Sequence, residues 1–95
     1  MKQLELIELR RQKLKDQIAS RLDLLIGSVH KTPSQSGYHL TTKIERKSVT
    51  KYVRKELAPQ AKEMAHNHLV VRKLLRQLSA LNWRWLQLQD QSLSR

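Results

Sequence analysis

The chain has 95 residues, with 19 Lys and Arg against 8 Asp and Glu for a formal charge of +11, two Trp, two Tyr and no Cys or Phe. That length allows one domain with a modest core, and the missing cysteines exclude disulfide frameworks, thiolate metal sites and thiol redox chemistry. The charge excess points to a polyanionic counter-ligand, with nucleic acid ahead of an anionic membrane or an acidic protein.

Met1-Lys2-Gln3-Leu4-Glu5 leads directly into mixed charged and apolar residues. Neither a signal peptide nor a membrane span of roughly 20 apolar residues is expected, and the expectation is a soluble, cytoplasmic protein. From residue 1 to 27 the apolar residues Leu4, Ile7, Leu14, Ile18, Leu22 and Leu25 recur at intervals of three and four, with Arg11 in the one missing seam position. This is the helical period. Leu6, Leu9 and Leu24 widen the stripe, and Gly27 is the expected stop.

Residues 28–36, with Pro33, three serines and Thr32, read as a loop. Residues 37–54 read as a β-hairpin, because Tyr38, Leu40, Thr42 and Ile44 alternate with His39, Thr41 and Lys43 before a second run rich in β-formers. With Glu45 and Arg46 as the turn pair, Ile44 faces Lys47, Thr42 faces Val49, Leu40 faces Lys51 and Tyr38 faces Val53. His39, Thr41, Lys43, Ser48, Thr50 and Tyr52 then share the polar side. A two-residue turn asks for positive φ, which neither residue favours, so a longer loop over Glu45 to Ser48 stays open.

The helical period returns over residues 55–92 through Leu57, Ala61, Met64, His68, Val71, Leu75, Leu78, Leu81, Trp85 and Leu88. Pro59 is tolerated only in the first turn. At 1.5 Å per residue this helix is about 45–50 Å long against about 35 Å for the first, so its last two turns, with Trp83 and Trp85, are expected to lack a partner in the chain. The expected fold is mainly α with a small β-hairpin: one domain, helices antiparallel, forming a homodimer through the unshared length.

Nothing in the sequence assembles an enzyme, a metal site or a cofactor site. His66 and His68 are two apart on a helix and point in different directions, His30 and His39 fall in a loop and a strand, and Gly27 and Gly37 are the only glycines, too few for a phosphate loop. The bases are unevenly spread: residues 1–27 hold six bases and four acids, 28–57 seven and two, and 58–95 six and two, for nets of +2, +5 and +4. The nucleic-acid-binding candidates are therefore Lys43, Arg46, Lys47, Lys51, Arg54 and Lys55 for phosphates and Tyr52 for an unpaired base, with Arg72, Lys73 and Arg76 extending the track. Lysine on a strand also guards a sheet edge. The second basic cluster tips the balance toward binding. Trp83 and Trp85 cannot share one narrow helix face. Trp85 falls in the leucine stripe with Leu78 and Leu81, and Trp83 is the better contact for a partner. These four are the candidate partner-binding residues.

Gly27-Ser28-Val29, Gly37-Tyr38-His39-Leu40 and the run Lys47-Ser48-Val49-Thr50-Lys51-Tyr52-Val53-Arg54-Lys55-Glu56-Leu57 together resemble a family of small uncharacterised prokaryotic proteins often found with transposable elements. Members look like a helix, a hairpin whose second strand ends in Tyr-Val-Pro-Lys-Glu-Leu, and a long leucine-rich helix. The cysteine knuckle often seen before the hairpin is absent here, and Glu45-Arg46 replaces the usual Asn-Gly turn, so no metal role carries over. The resemblance implies a mobile-element setting, and hence DNA or a DNA enzyme nearby, so DNA is expected ahead of RNA. It supplies no site residues.

The function expected is a non-catalytic nucleic-acid-binding protein. The rival is a helical adaptor that docks its leucine and tryptophan stripe on an acidic protein. A membrane-surface helix fits less well, because the bases are spread over three elements.

Overall fold

The computed structural model describes residues 2–31 and 37–93. In chain order these form α1 (Lys2–Ala19), β1 (Ser28–Lys31), β2 (Tyr38–Ile44), β3 (Lys47–Val53), a 3₁₀ turn (Lys55–Leu57) and α2 (Ala58–Leu93). The three strands make one antiparallel sheet in the order β1-β2-β3. The chain divides into two compact units: residues 1–21 with 71–95, and residues 22–70.

The first unit is an antiparallel helix pair. Arg11 Nε donates to Asn82 Oδ1 at 2.6 Å, and Trp85 Nε1 donates to Glu8 Oε1 at 3.4 Å, so position numbers rise along α1 as they fall along α2. Along α1, Leu4, Ile7, Arg11, Leu14 and Ile18 are the residues withdrawn from solvent, and along α2 they include Val71, Leu74, Leu78, Leu81, Trp85 and Leu88. Both runs step by three and four, the spacing of a knobs-into-holes seam. The expected seam carried Leu75, which is 50 % exposed; Leu74 takes the place, because it is the residue three after Val71 and four before Leu78.

The expectation that the last turns of α2 lack a partner is overturned. In the antiparallel register the first turns of α1 lie beside them, and Gln3, Leu6, Ile7 and Arg10 line a shallow groove with Leu81 and Arg84. The comparison of helix lengths misled because α2 pairs with α1 from its far end.

The first helix also ends earlier than the expected residue 27. It closes at Ala19 through Ser20 N–H to Asp16 O at 3.1 Å and Arg21 N–H to Ile18 O at 2.9 Å, while the Ser20 hydroxyl donates to Gln17 O at 2.7 Å. The tighter bond and the hydroxyl satisfy helix-end carbonyls without a glycine. Leu22 is 59 % exposed and belongs to no seam.

In the second unit, residues 22–27 form no regular element and are tied to α2 by hydrogen bonds. Leu25 N–H donates to Met64 O at 3.0 Å, and the Asn67 side chain donates to Asp23 O at 2.9 Å. Gly27 is not a helix cap but the entry to β1. Its φ of +143° suits glycine, and a Cβ there would overlap the Thr41 carbonyl oxygen.

The segment 28–36, expected as a loop, contains β1, which adds a third strand to the expected hairpin. Ser28 pairs with Thr41, Val29 with Leu40, His30 with His39 and Lys31 with Tyr38. The rest of that loop lies outside the described residues. The β2–β3 register is the expected one, from Tyr38 opposite Val53 to Ile44 opposite Lys47. Glu45 and Arg46 form the two-residue turn with φ of +50° and +69°, the primed geometry whose twist matches a hairpin.

One side of the sheet packs on the start of α2. Ala58, Ala61 and Ala65 are buried there, small enough for close approach of the helix; Leu40 is buried, and Lys62 Nζ sits 4.7 Å from the Tyr38 ring centre. Pro59 stands second in α2, where its missing N–H breaks no helical bond.

Candidate nucleic-acid interface

Strand alternation decides what the other side of the sheet carries. Ser28 and His30 from β1, His39, Thr41 and Lys43 from β2, and Ser48, Thr50 and Tyr52 from β3 share it. Ser28, His30, Lys43, Ser48, Thr50 and Tyr52 are exposed, and His39 and Thr41 are half-buried. This is the polar face expected from the sequence, widened by β1.

Lys47 and Lys51 fall on the opposite side of the hairpin, among Thr42, Val49 and Val53, yet both are exposed. Lys47 is open because this side is uncovered near the turn, where its partner Ile44 is 51 % exposed; Lys51 lies opposite the buried Leu40 but stands on the edge strand β3. The far end of the ribbon thus offers bases on both sides, with Arg46 at its tip. Arg54 and Lys55 follow β3 and are also exposed. Arg54 is extended, with φ of −62° and ψ of 145°, and its carbonyl accepts from Leu57 N–H at 2.9 Å to open the 3₁₀ turn. Six of the phosphate candidates expected from the sequence therefore project from one β-ribbon and its exit, in a segment whose acids are Glu45 and Glu56.

Arg72, Lys73 and Arg76 lie on α2 in the first unit. All three are exposed. At 3.6 residues per turn, Arg72, Arg76 and Trp83 point within about 40° of one another, away from the seam of Leu74, Leu78, Leu81 and Trp85. Trp83 is 63 % exposed. Trp85 is half-buried in the seam, with the Arg11 guanidinium 4.8 Å from its ring centre. Leu78 and Leu81, expected to hold a partner, are half-buried in the chain's own seam.

His30 and His39 are the feature that sequence reasoning missed. They stand in the sequence as a loop residue and a strand residue, but pairing of β1 with β2 makes them cross-strand neighbours with ring centres 6.4 Å apart; Tyr52 follows at 6.0 Å from His39, edge to face. The only signal in the sequence is the alternation Val29-His30-Lys31, too short to stand as a strand by itself. Among the described residues no three His, Asp or Glu side chains are grouped to hold a metal ion, and no helix is long and apolar enough to cross a membrane.

No protein-family model, curated protein or solved structure matches this chain.

Proposed function

We propose that this protein binds nucleic acid without catalysis, using the β2–β3 ribbon as its principal contact. The observation that carries the reading is the concentration of exposed Lys43, Arg46, Lys47, Lys51, Arg54 and Lys55 on one ribbon and its exit. A ribbon is narrow enough to enter a major groove or follow a strand, and each Lys or Arg that neutralises a phosphate releases a counterion. Thr41, Ser48 and Thr50 add hydroxyl donors on the polar face. Arg72, Lys73 and Arg76 form a second basic surface. DNA is preferred to RNA in this reading on the strength of the mobile-element resemblance. Titration of labelled duplex and single-stranded DNA and RNA over a range of salt tests it, the expected result being affinity that falls steeply and linearly in log–log form as salt rises.

A second reading is favoured by Trp83, 63 % exposed, with Leu75 and Leu86 at 50 % and 51 % on the neighbouring stripe of α2. These side chains suit a protein partner, either a second copy or an acidic helix. Self-association through them is compatible with nucleic-acid binding by the ribbon.

A further inference from the structure

Phosphate neutralisation leaves the row of rings on the open sheet face without a task. His30, His39 and Tyr52 occupy one level of three adjacent strands, because His30 pairs with His39 and His39 with Tyr52. Tyrosine is a good strand former, so an exposed one on an edge strand is ordinary by itself. Its setting here is not. A Cβ on Gly37 would run into Tyr52 Cε1 and stand 2.6 Å and 2.7 Å from the Tyr52 hydroxyl oxygen and Cζ. The Cε1–hydroxyl edge of the ring therefore occupies the space that a side chain at the buried Gly37 would fill, while 62 % of the residue faces solvent. One edge is set against Gly37, and most of the residue is open to solvent.

The chemistry around that ring is the chemistry of an unpaired nucleotide. The neighbouring level holds Ser28, Thr41 and Thr50, and the level beyond holds Lys43 and Ser48 toward the turn with Arg46. Arg54 follows on the other side, two residues after Tyr52. Bases in a duplex hide their faces in the stack, whereas single strands offer them to aromatic side chains. We propose that this face binds single-stranded nucleic acid, with unpaired bases stacked on Tyr52 and the adjoining histidine rings and with Lys43, Arg46 and Arg54 on the backbone. Gly37 is a positioning residue whose missing side chain leaves room for the edge of the Tyr52 ring. The proposal rests on the nucleic-acid reading and deepens it by naming the strand state.

The test is fluorescence anisotropy of a labelled polythymidine strand and of a labelled duplex at one salt concentration, with the full chain. The wild type is expected to bind the single strand several-fold more tightly. Tyr52→Ala should weaken single-strand binding by about fivefold to a hundredfold, the range for removal of one stacking ring, and change duplex binding by less than about twofold. Tyr52→Phe should keep the affinity. Gly37→Ala should act in the same direction as Tyr52→Ala by displacing the ring. Far-UV circular dichroism keeps folding in view, and the salt slope should not change with Tyr52. An unchanged single-strand affinity in Tyr52→Ala, or an equal loss for single strand and duplex, overturns the platform. If the wild type binds neither probe, the nucleic-acid reading itself falls. If reversal of the ribbon lysines weakens binding while Tyr52→Ala does not, the platform alone falls.

Discussion

The Arg11 guanidinium bridges two residues of α2, donating to Asn82 Oδ1 at 2.6 Å and lying 4.8 Å from the centre of the Trp85 ring. It does so inside a leucine seam, where an apolar side chain would satisfy packing equally well. A single polar pair in such a seam fixes register, because any slip leaves a desolvated group without its partner. Asn82→Ala is therefore expected to lower stability by about 1–3 kcal/mol. Arg11→Ala should cost at least as much, since the stacking on Trp85 and the packing of the aliphatic stem disappear together with the hydrogen bond. Urea unfolding followed by circular dichroism reads both, and unchanged midpoints would show that the pair sets nothing.

The turn holds Glu45 and Arg46 at φ of +50° and +69°. Left-handed backbone costs a non-glycine residue roughly 1–2 kcal/mol. Replacing the pair by Asn-Gly should raise stability by about 1–2 kcal/mol and leave the β2–β3 register in place. The exchange leaves net charge unchanged but removes the basic tip, so nucleic-acid affinity should fall modestly as stability rises. A stability equal to or below that of the wild type would contradict the strained turn.

Gly27 combines a φ of +143° with a carbonyl oxygen, that of Thr41, where a Cβ would stand. Gly27→Ala should destabilise by about 2 kcal/mol or more, through backbone strain and a shift of β1 against β2. Thermal melting would measure it, and hydrogen exchange of the Ser28–Lys31 amides should accelerate first. A melting temperature within error of the wild type would mean that the strand entry relaxes freely.

The parts of the fold that follow from local periodicity are legible in the sequence. The three-and-four spacing from Leu4 to Ile18 and from Leu78 to Leu88, the first-turn place of Pro59 and the pairing of Tyr38 with Val53 all follow from chain neighbours. Two of the misses share a cause. β1 is four residues long and becomes a strand only by pairing with β2, and the chain after Ala19 leaves the helical path to donate Leu25 N–H to Met64 O. Both depend on partners far away in sequence. The phosphate candidates are legible because exposed charge needs no partner, whereas the His30–His39–Tyr52 row exists only once three strands are aligned.

Self-association is expected to run through the outer stripe of α2, where Leu75 and Leu86 lie about three turns apart on one face and Trp83 is near them. Light scattering at high micromolar concentration should give a mass well above 11.2 kDa. Trp83→Asp with Leu86→Asp should return the monomer without loss of helicity, because neither side chain is in the seam with α1. A monomeric wild type would refute the expectation.

The most direct measurement is the salt-dependent affinity of a Lys43→Glu, Lys47→Glu, Lys51→Glu variant for labelled nucleic acid, set beside the wild type. All three side chains are exposed, so helicity should be nearly unchanged. Binding should weaken by well over about tenfold, and the logarithmic salt slope should drop by up to about 0.9 for each duplex phosphate that is no longer neutralised. Equal affinity and equal slope in a folded variant would contradict the ribbon as the binding element.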